Sequence, residues 1–487
     1  MIITLDRNSK LGLQEQLFRE IREQILDGRL KAAAPVPSSR ILAQQLNVSR
    51  NSVTFAYERL INEGYLITRP MVGTYVTTVL PEQAMSAPLD FPAKAMDGTT
   101  SNKLAPPAFR GRPHSILNNS RIPIDFWPQR TDPRAFPLKA WRRTILHSLA
   151  TAGHNLTEYG DPCGLSSLRS AIADHVAMSR GIHVRPEQVV VVAGAQLALN
   201  LALRLLARAG DSIVVENPCH QGAAYLFESL DIKVHPIDVD PSGLNTAGLR
   251  DVGARIVHVM PSHQYPMGST LPSARRSELI QWAEDKSAYI IEDDYDSEFR
   301  YDGAPTPAIK ALSPENTIYL GTFSKSLGAG LRTGYAIFPD HLTSAAHAAK
   351  ALLDNGHVWL EQSALSEFML SGSFVRHIRR TRSRYMQRRN AIVSAMRSHF
   401  PRAELHGIEA GTHLAWKLPS QLGSAHRIQA LARSRNIGVY TVQSGGGHEY
   451  GGTDYEDNWL LLGYASLTEE QIDAGISRLA GLIRENG

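Results

Sequence analysis

The sequence predicts two unlike folding units in one chain: a small α+β head and, behind it, a large α/β domain whose mostly parallel sheet is covered by helices. Three observations predict this. Hydrophobic periodicity changes from helical steps to short β-like runs before residue 80. From about residue 121 onward, fully apolar runs alternate with helical segments, the pattern of parallel strands buried on both faces. At 487 residues the chain is also too long for one core, since a single domain usually holds about 50 to 250.

Composition narrows the class without naming a function. A hydrophobic fraction of 43% and a charged fraction of 20% are those of an ordinary soluble globular protein. A formal net charge of +4 is too small to identify a partner. Only Cys163 and Cys219 are present, which excludes a disulfide framework or a cysteine-based zinc site and fits a reducing compartment. The opening MIITLDRNSK has no apolar signal core, and no apolar run approaches the roughly 20 residues that span a bilayer. A cytoplasmic protein with no membrane partner is the expectation.

The head is expected over residues 1–79. Leu13, Leu17, Ile21 and Ile25 repeat at four-residue steps and form one apolar stripe that stops at Gly28. A second helix is expected to start at Ser38 and Ser39 after Pro37 and to bury Ile41, Leu42 and Leu46. A third is capped by Ser49, with Val53, Ala56, Tyr57, Leu60 and Ile61 on its buried face. After Gly64, the runs YLITR and TYVTT flank PMVG and predict a hairpin. Three helices and a two-stranded wing make a winged helix-turn-helix. In such a fold, Ser49, Arg50, Asn51 and Ser52 at the start of the third helix face base edges. Ser38, Ser39, Arg40 and the wing's Arg69 are placed to hold phosphates. A small helical protein-interaction module fits the same periodicity.

The stretch VPSSRILAQQLNVSRNSVTFAYERLINEGYLITRPMVGTYV resembles the DNA-binding domain of the GntR family of bacterial transcription regulators along its whole length. The resemblance implies a double-stranded DNA operator as partner. One departure is Met71, where the family's wing usually carries glycine. Residues 80–120 then lose periodicity and are rich in Pro, Ser, Ala and Gly, as expected of a flexible linker.

The third segment, residues 121–487, carries its chemistry at strand ends, where open α/β sheets bind ligands. VVVVA is followed by Gly194, Ala195 and Gln196 and a helix expected over Gln196–Ala209, a small-residue turn able to seat an anion. VVEN is followed by Pro218, Cys219 and His220, and a helix expected from His220. That histidine either lies flat against an aromatic ligand or caps a surface helix. AYIIE leads to Asp293, Asp294 and Tyr295; a carboxylate buried there needs a cation or hydrogen-bond donors. IYLG leads to Thr322, Ser324, Lys325 and Arg332. A lysine able to form an imine, an aspartate for a pyridine nitrogen, and hydroxyls with an arginine for a phosphate are a protein's share of pyridoxal 5'-phosphate chemistry. Thr322, Ser324 and Arg332 would join Ala195 and Gln196 at the phosphate, with Arg332 suited to bidentate contact.

YGDPCGLSSLRSAI, VVVAGAQLALNLALRLL, PSHQYPMGSTL, IIEDDYDSEFRY and GTFSKSLGAGLRTGY occur in this order and together resemble the fold-type I aminotransferase domain of the MocR subfamily of GntR regulators. That resemblance implies a smaller C-terminal subdomain, Lys325 as the Schiff-base lysine, Asp293 as the pyridine partner and Tyr295 as the phenolate partner. It places His220 where a ring-stacking tyrosine is commoner, puts Tyr265 of the third motif among the cofactor residues, and lets Tyr159 reach the phosphate across a homodimer interface. Near the C-terminus, Asn458–Tyr464 lacks the arginine that often binds a substrate carboxylate. The effector therefore has no carboxylate in the usual place, is held by another cation, or is pyridoxal phosphate itself. RHIRRTRSRYMQRR, with seven arginines, reads as a solvated helix side or a DNA-facing surface. The expected function is a transcription regulator sensing a small amine, an amino acid or pyridoxal phosphate. An active aminotransferase with a DNA-binding appendage and a scaffold without cofactor are the alternatives.

Overall fold

The computed structural model describes residues 1, 3–7, 9, 11–81, 122–303, 306–451 and 453–486. The chain divides into two compact units, Met1–Ala105 and Pro106–Gly487. The expected linker, 80–120, lies outside the described residues except for Leu80 and Pro81.

In the first unit, helix α1 spans Leu13–Leu26, α2 Ser39–Leu46 and α3 Arg50–Asn62. Strands β1, Leu66–Arg69, and β2, Gly73–Val76, pair antiparallel with Leu66 opposite Val76. One core joins them: Leu17, Ile21, Leu42, Val53, Leu60 and Val76 are all buried in a single cluster. Ser38 caps α2 by accepting from the N–H of Ile41, and Ser49 caps α3 by accepting from that of Ser52. Ser39 is the first helical residue of α2, not part of its cap.

Ile41 departs from expectation, since it is 47% exposed while Leu42 and Ala43 are buried. One residue along a helix is a rotation of about 100°, so a stripe holding Leu42, Ala43 and half-buried Leu46 turns Ile41 outward. At the wing tip, Met71 adopts φ +64° and its side chain is fully exposed. That left-handed backbone is the one a glycine adopts freely, so the departure from the family pattern keeps the turn at a strain of about 1–2 kcal/mol.

The second unit is built on an eight-stranded sheet. Its order is Val189–Val192, Gly334–Ile337, Thr317–Thr322, Tyr289–Asp294, Ile256–Val259, Ser212–Asn217, Lys233–Asp240 and Gly243–Leu244. Gly334–Ile337 runs antiparallel to both of its neighbours, and Gly243–Leu244 pairs antiparallel with Lys233–Asp240; the remaining pairs are parallel. Both faces are covered. Val189 and Val191 pack into a cluster with helices Ser166–Arg180 and Trp359–Leu370, while Val190 and Val192 join another with helix Ala195–Leu206. A smaller sheet of Glu404–His406, His413–Lys417, Trp459–Gly463 and Tyr440–Thr441 forms a second layer under helices Ser373–His399 and Glu469–Asn486. This is the expected C-terminal subdomain.

Two helix starts shift from the sequence reading. The helix after VVVVA spans Ala195–Leu206, because Gly194, at φ +94°, ends the strand and Ala195 already belongs to the first turn. The next begins at Gln221, because Cys219 and His220 form a short strand paired with Gly447–His448. The arginine-rich run is not simply a solvated face. Arg388 is buried, donating to Asp132 at 2.7 Å and to the carbonyl of Ala465, and Arg389 is buried against Asp302 at 2.6 Å. Arg376, Arg379, Arg380, Arg382 and Arg384 remain exposed.

Candidate active site of the aminotransferase-type domain

Parallel strands send their carboxyl ends to one edge of the sheet, and a cavity of about 220 Å³ opens there. Its walls include Ala195, Gln196, His220, Tyr265, Asp293 and Tyr295. Thr322, Ser324, Lys325 and Arg332 complete the expected set. Tyr159 does not line it; that side chain is 91% exposed in the single chain.

Lys325 sits in a π-helical turn, Ser324–Gly328, directly behind strand Thr317–Thr322. Single π turns are rare and concentrate at functional sites, because the widened backbone re-aims a side chain. Three glycines let backbone elements close around this turn. A Cβ on Gly321 would lie 2.2 Å from the Tyr335 ring, and one on Gly334 would lie 2.9 Å from the Cα of Gly194. At Gly194 itself a Cβ would meet the Arg332 guanidinium at 3.1 Å, so the glycine lets Arg332 lie against the helix start, where it donates to the carbonyl of Ala193 at 2.7 Å. Thr322 donates its hydroxyl to Ser324 at 2.9 Å. Gly194 gives helix Ala195–Leu206 no side-chain cap, so its first turn keeps N–H groups for an anion. Gln196 is fixed by a bond to the carbonyl of Gly222 at 2.8 Å.

On the opposite wall, Asp293 is buried at the end of strand Tyr289–Asp294, and its Oδ1 has no partner among the described residues. Its Oδ2 lies 3.7 Å from Nε2 of buried His258. Neighbouring Glu216 accepts from the N–H of Met260 at 3.2 Å; burial pushes its carboxyl up to about 8, so it is mostly protonated at neutral pH. Tyr295, pushed well above its ordinary range first by burial and then by the carboxylate of Asp296, is a protonated donor. Its hydroxyl lies 3.0 Å from Nδ1 of His263. Tyr265 donates to the carbonyl of Gly445 at 2.5 Å and stands edge-on to His220, ring centres 5.7 Å apart.

Residues outside the sequence reading complete the site. Gln129 reaches across from the start of the domain to Tyr265 at 3.3 Å and to Gly445 at 3.1 Å. His263, Asp296 and His413 lie beneath Tyr295 and Tyr265. Burial, then His263 and Lys325, hold His413 well below its ordinary value, so it is neutral. His263 and Asp296 fall inside the words PSHQYPMGSTL and IIEDDYDSEFRY, whereas nothing local marks Gln129 or His413.

In the first unit, Ser38, Arg40, Ser49, Arg50, Asn51 and Arg69 are exposed, with Ser39 and Ser52 half-buried. The α3 start and the wing thus present the expected polar surface, and Arg69 lies 5.0 Å from the centre of the Tyr75 ring.

Comparison with known proteins agrees with both halves. The family described as aminotransferase class I and II matches residues 130–479, and bacterial regulatory proteins, gntR family, matches residues 13–76. The fold and site define a helix-turn-helix regulator carrying an aminotransferase-type domain. The chain belongs to the MocR subfamily of GntR transcription regulators. It is 35% identical to the probable rhizopine catabolism regulatory protein MocR of Rhizobium meliloti, over 82% of this chain and 80% of that one. It is 34% identical to the pyridoxine biosynthesis transcriptional regulator PdxR of Corynebacterium glutamicum, over 96% of each. Among solved structures, kynurenine aminotransferase of Pyrococcus horikoshii, in complex with PMP, is similar at a TM-score of 0.69 and 25% identity, over 76% of this chain and 92% of that one. Among the described residues no helix is long and apolar enough to cross a membrane.

Proposed function

We propose that this DNA-binding regulator holds pyridoxal 5'-phosphate in the cavity around Lys325 and uses it to sense a small amine, an amino acid or the cofactor's own abundance. The observation that carries the reading is Asp293 Oδ1, a buried carboxylate oxygen without a partner among the described residues, in the same cavity as Lys325. A buried unpaired acceptor is costly, and a protonated ring nitrogen satisfies it. When bound, pyridoxal phosphate supplies an aldehyde that links to amines and a ring that withdraws electrons. Lys325 provides the amine, Asp293 keeps a proton on the ring nitrogen, and protonated Glu216 beside it adds no competing charge. Tyr295 donates to the phenolic oxygen, and His220 and Ala223 flank the ring. The first turn of helix Ala195–Leu206, with Thr322, Ser324 and Arg332, holds the phosphate.

Among the described residues Lys325 and Arg332 are the two formally cationic side chains lining the cavity, and Arg332 already serves the phosphate end. Among the described residues of the single chain an amino-acid carboxylate thus meets no second cation, which favours an amine without a carboxylate or pyridoxal phosphate as effector. In the head, Ser49, Arg50, Asn51 and Ser52 read base edges, and Ser38, Ser39, Arg40 and Arg69 hold phosphates of an operator in the cytoplasm. A homodimer brings two heads to the DNA and gives exposed Tyr159 a place in the partner's site.

The test is a titration of purified protein with pyridoxal phosphate, followed by visible absorption. Wild type should give a band that Lys325→Ala lacks and that Asp293→Ala weakens. An identical band in Lys325→Ala would overturn the cofactor reading. Steady conversion of an amino donor with a keto acid at rates typical of enzymes would replace sensing by catalysis.

A further inference from the structure

His263 lies beside the cavity yet has no role in the reading above. The imidazole is 1% exposed, and its Nδ1 touches two groups at once: the Tyr295 hydroxyl at 3.0 Å and the Asp296 carboxylate at 2.9 Å. Asp296 is equally buried, its other oxygen has no partner among the described residues, and His263 is its one ion-pair partner there. A carboxylate accepts only, so this contact selects the tautomer with a proton on Nδ1. His263 Nε2 has no partner among the described residues, and the ring also borders a small polar cavity of about 20 Å³ walled by Arg180, Arg276 and Arg300. That space is large enough for one water. A further titratable neighbour, His413, is 4.9 Å away ring to ring and gives its Nε2–H to the carbonyl of Pro266.

From this geometry we infer that His263 and Asp296 are positioning residues that steer which way the Tyr295 O–H points. With the Nδ1 proton in place, Tyr295 cannot donate to His263; its oxygen accepts from that ring, and its own hydrogen is shared between the cavity and the Asp296 carboxylate, which the His263 N–H already engages. Asp296 thereby acts on the ligand through two side chains without touching it. The inference rests on the cofactor reading, in which the O–H meets the phenolic oxygen. It assigns this chain a device for setting the protonation of whatever is bound there, since a donor favours the negatively charged oxygen.

The experiment is a pH titration of the visible band of the full-length protein loaded with pyridoxal phosphate. Tyr295→Phe should raise the midpoint by removing the donor. Asp296→Asn, whose amide offers a proton where the carboxylate takes one, should raise it by at least half of that shift, and the double variant should go no further than Tyr295→Phe. His263→Gln tests the same link if Asp296→Asn folds poorly, and should also raise the midpoint. A folded Asp296→Asn or His263→Gln protein that titrates like wild type, or additive shifts in the double variant, would overturn the inference alone. No visible band on wild type would overturn the cofactor reading, and the inference with it.

Discussion

Single residues carry the two functional claims and the pH behaviour. Arg50 is exposed at the start of α3, so Arg50→Ala should weaken operator binding by about 10- to 100-fold while leaving the cofactor band unchanged. A gel shift with unaltered affinity would remove Arg50 from the DNA surface. Glu216 governs a pH effect. The unfolded chain releases its proton near the ordinary 4.5, whereas the folded protein keeps it to about 8. Across that window the native state binds more protons, so this group makes stability fall as pH rises from 4.5 to 8. Glu216→Gln, which keeps an acceptor for the N–H of Met260, should flatten that dependence and stabilise the protein most at the alkaline end. Urea unfolding at both ends of the window checks it, and a slope like that of wild type would contradict the assignment.

At the scale of elements, what is legible in the sequence follows from geometry. Parallel strands deliver their last residues to one edge, so Asp293 behind one strand and Thr322 and Lys325 behind another could be placed together from the order of the apolar runs. Gln129 and His413 could not. They arrive from the start of the domain and from the second sheet, and only the packing of those layers brings them to Tyr265. Five arginines of the run are solvated as read, but Arg388 and Arg389 depart for a related reason: charge marks a surface unless a buried carboxylate waits, and Asp132 lies 256 residues before Arg388. Asp132→Ala leaves that guanidinium buried without its partner and should cost about 3–5 kcal/mol in unfolding experiments. In the head, one residue of helix phase separates two leucine-like side chains. Leu42→Ala should destabilise the fold by about 2–5 kcal/mol, and Ile41→Ala by less than about 0.5 kcal/mol. Equal losses in thermal unfolding would mean that α2 is rotated from its described face.

At the scale of the whole molecule, the two units carry separable chemistry, a polar helix start for DNA and a lysine cavity for a ligand. DNA binding should weaken steeply with salt as phosphate contacts release counterions, while the cofactor band should not. The central claim is that one chain couples the two. It is tested most directly by titrating the cofactor-loaded protein with candidate amines, following visible absorption and an operator gel shift on the same samples. Coupling predicts that the spectral change and the change in DNA affinity share one midpoint, and that both are lost in Lys325→Ala. A spectral titration that runs to completion while operator affinity stays constant would contradict it.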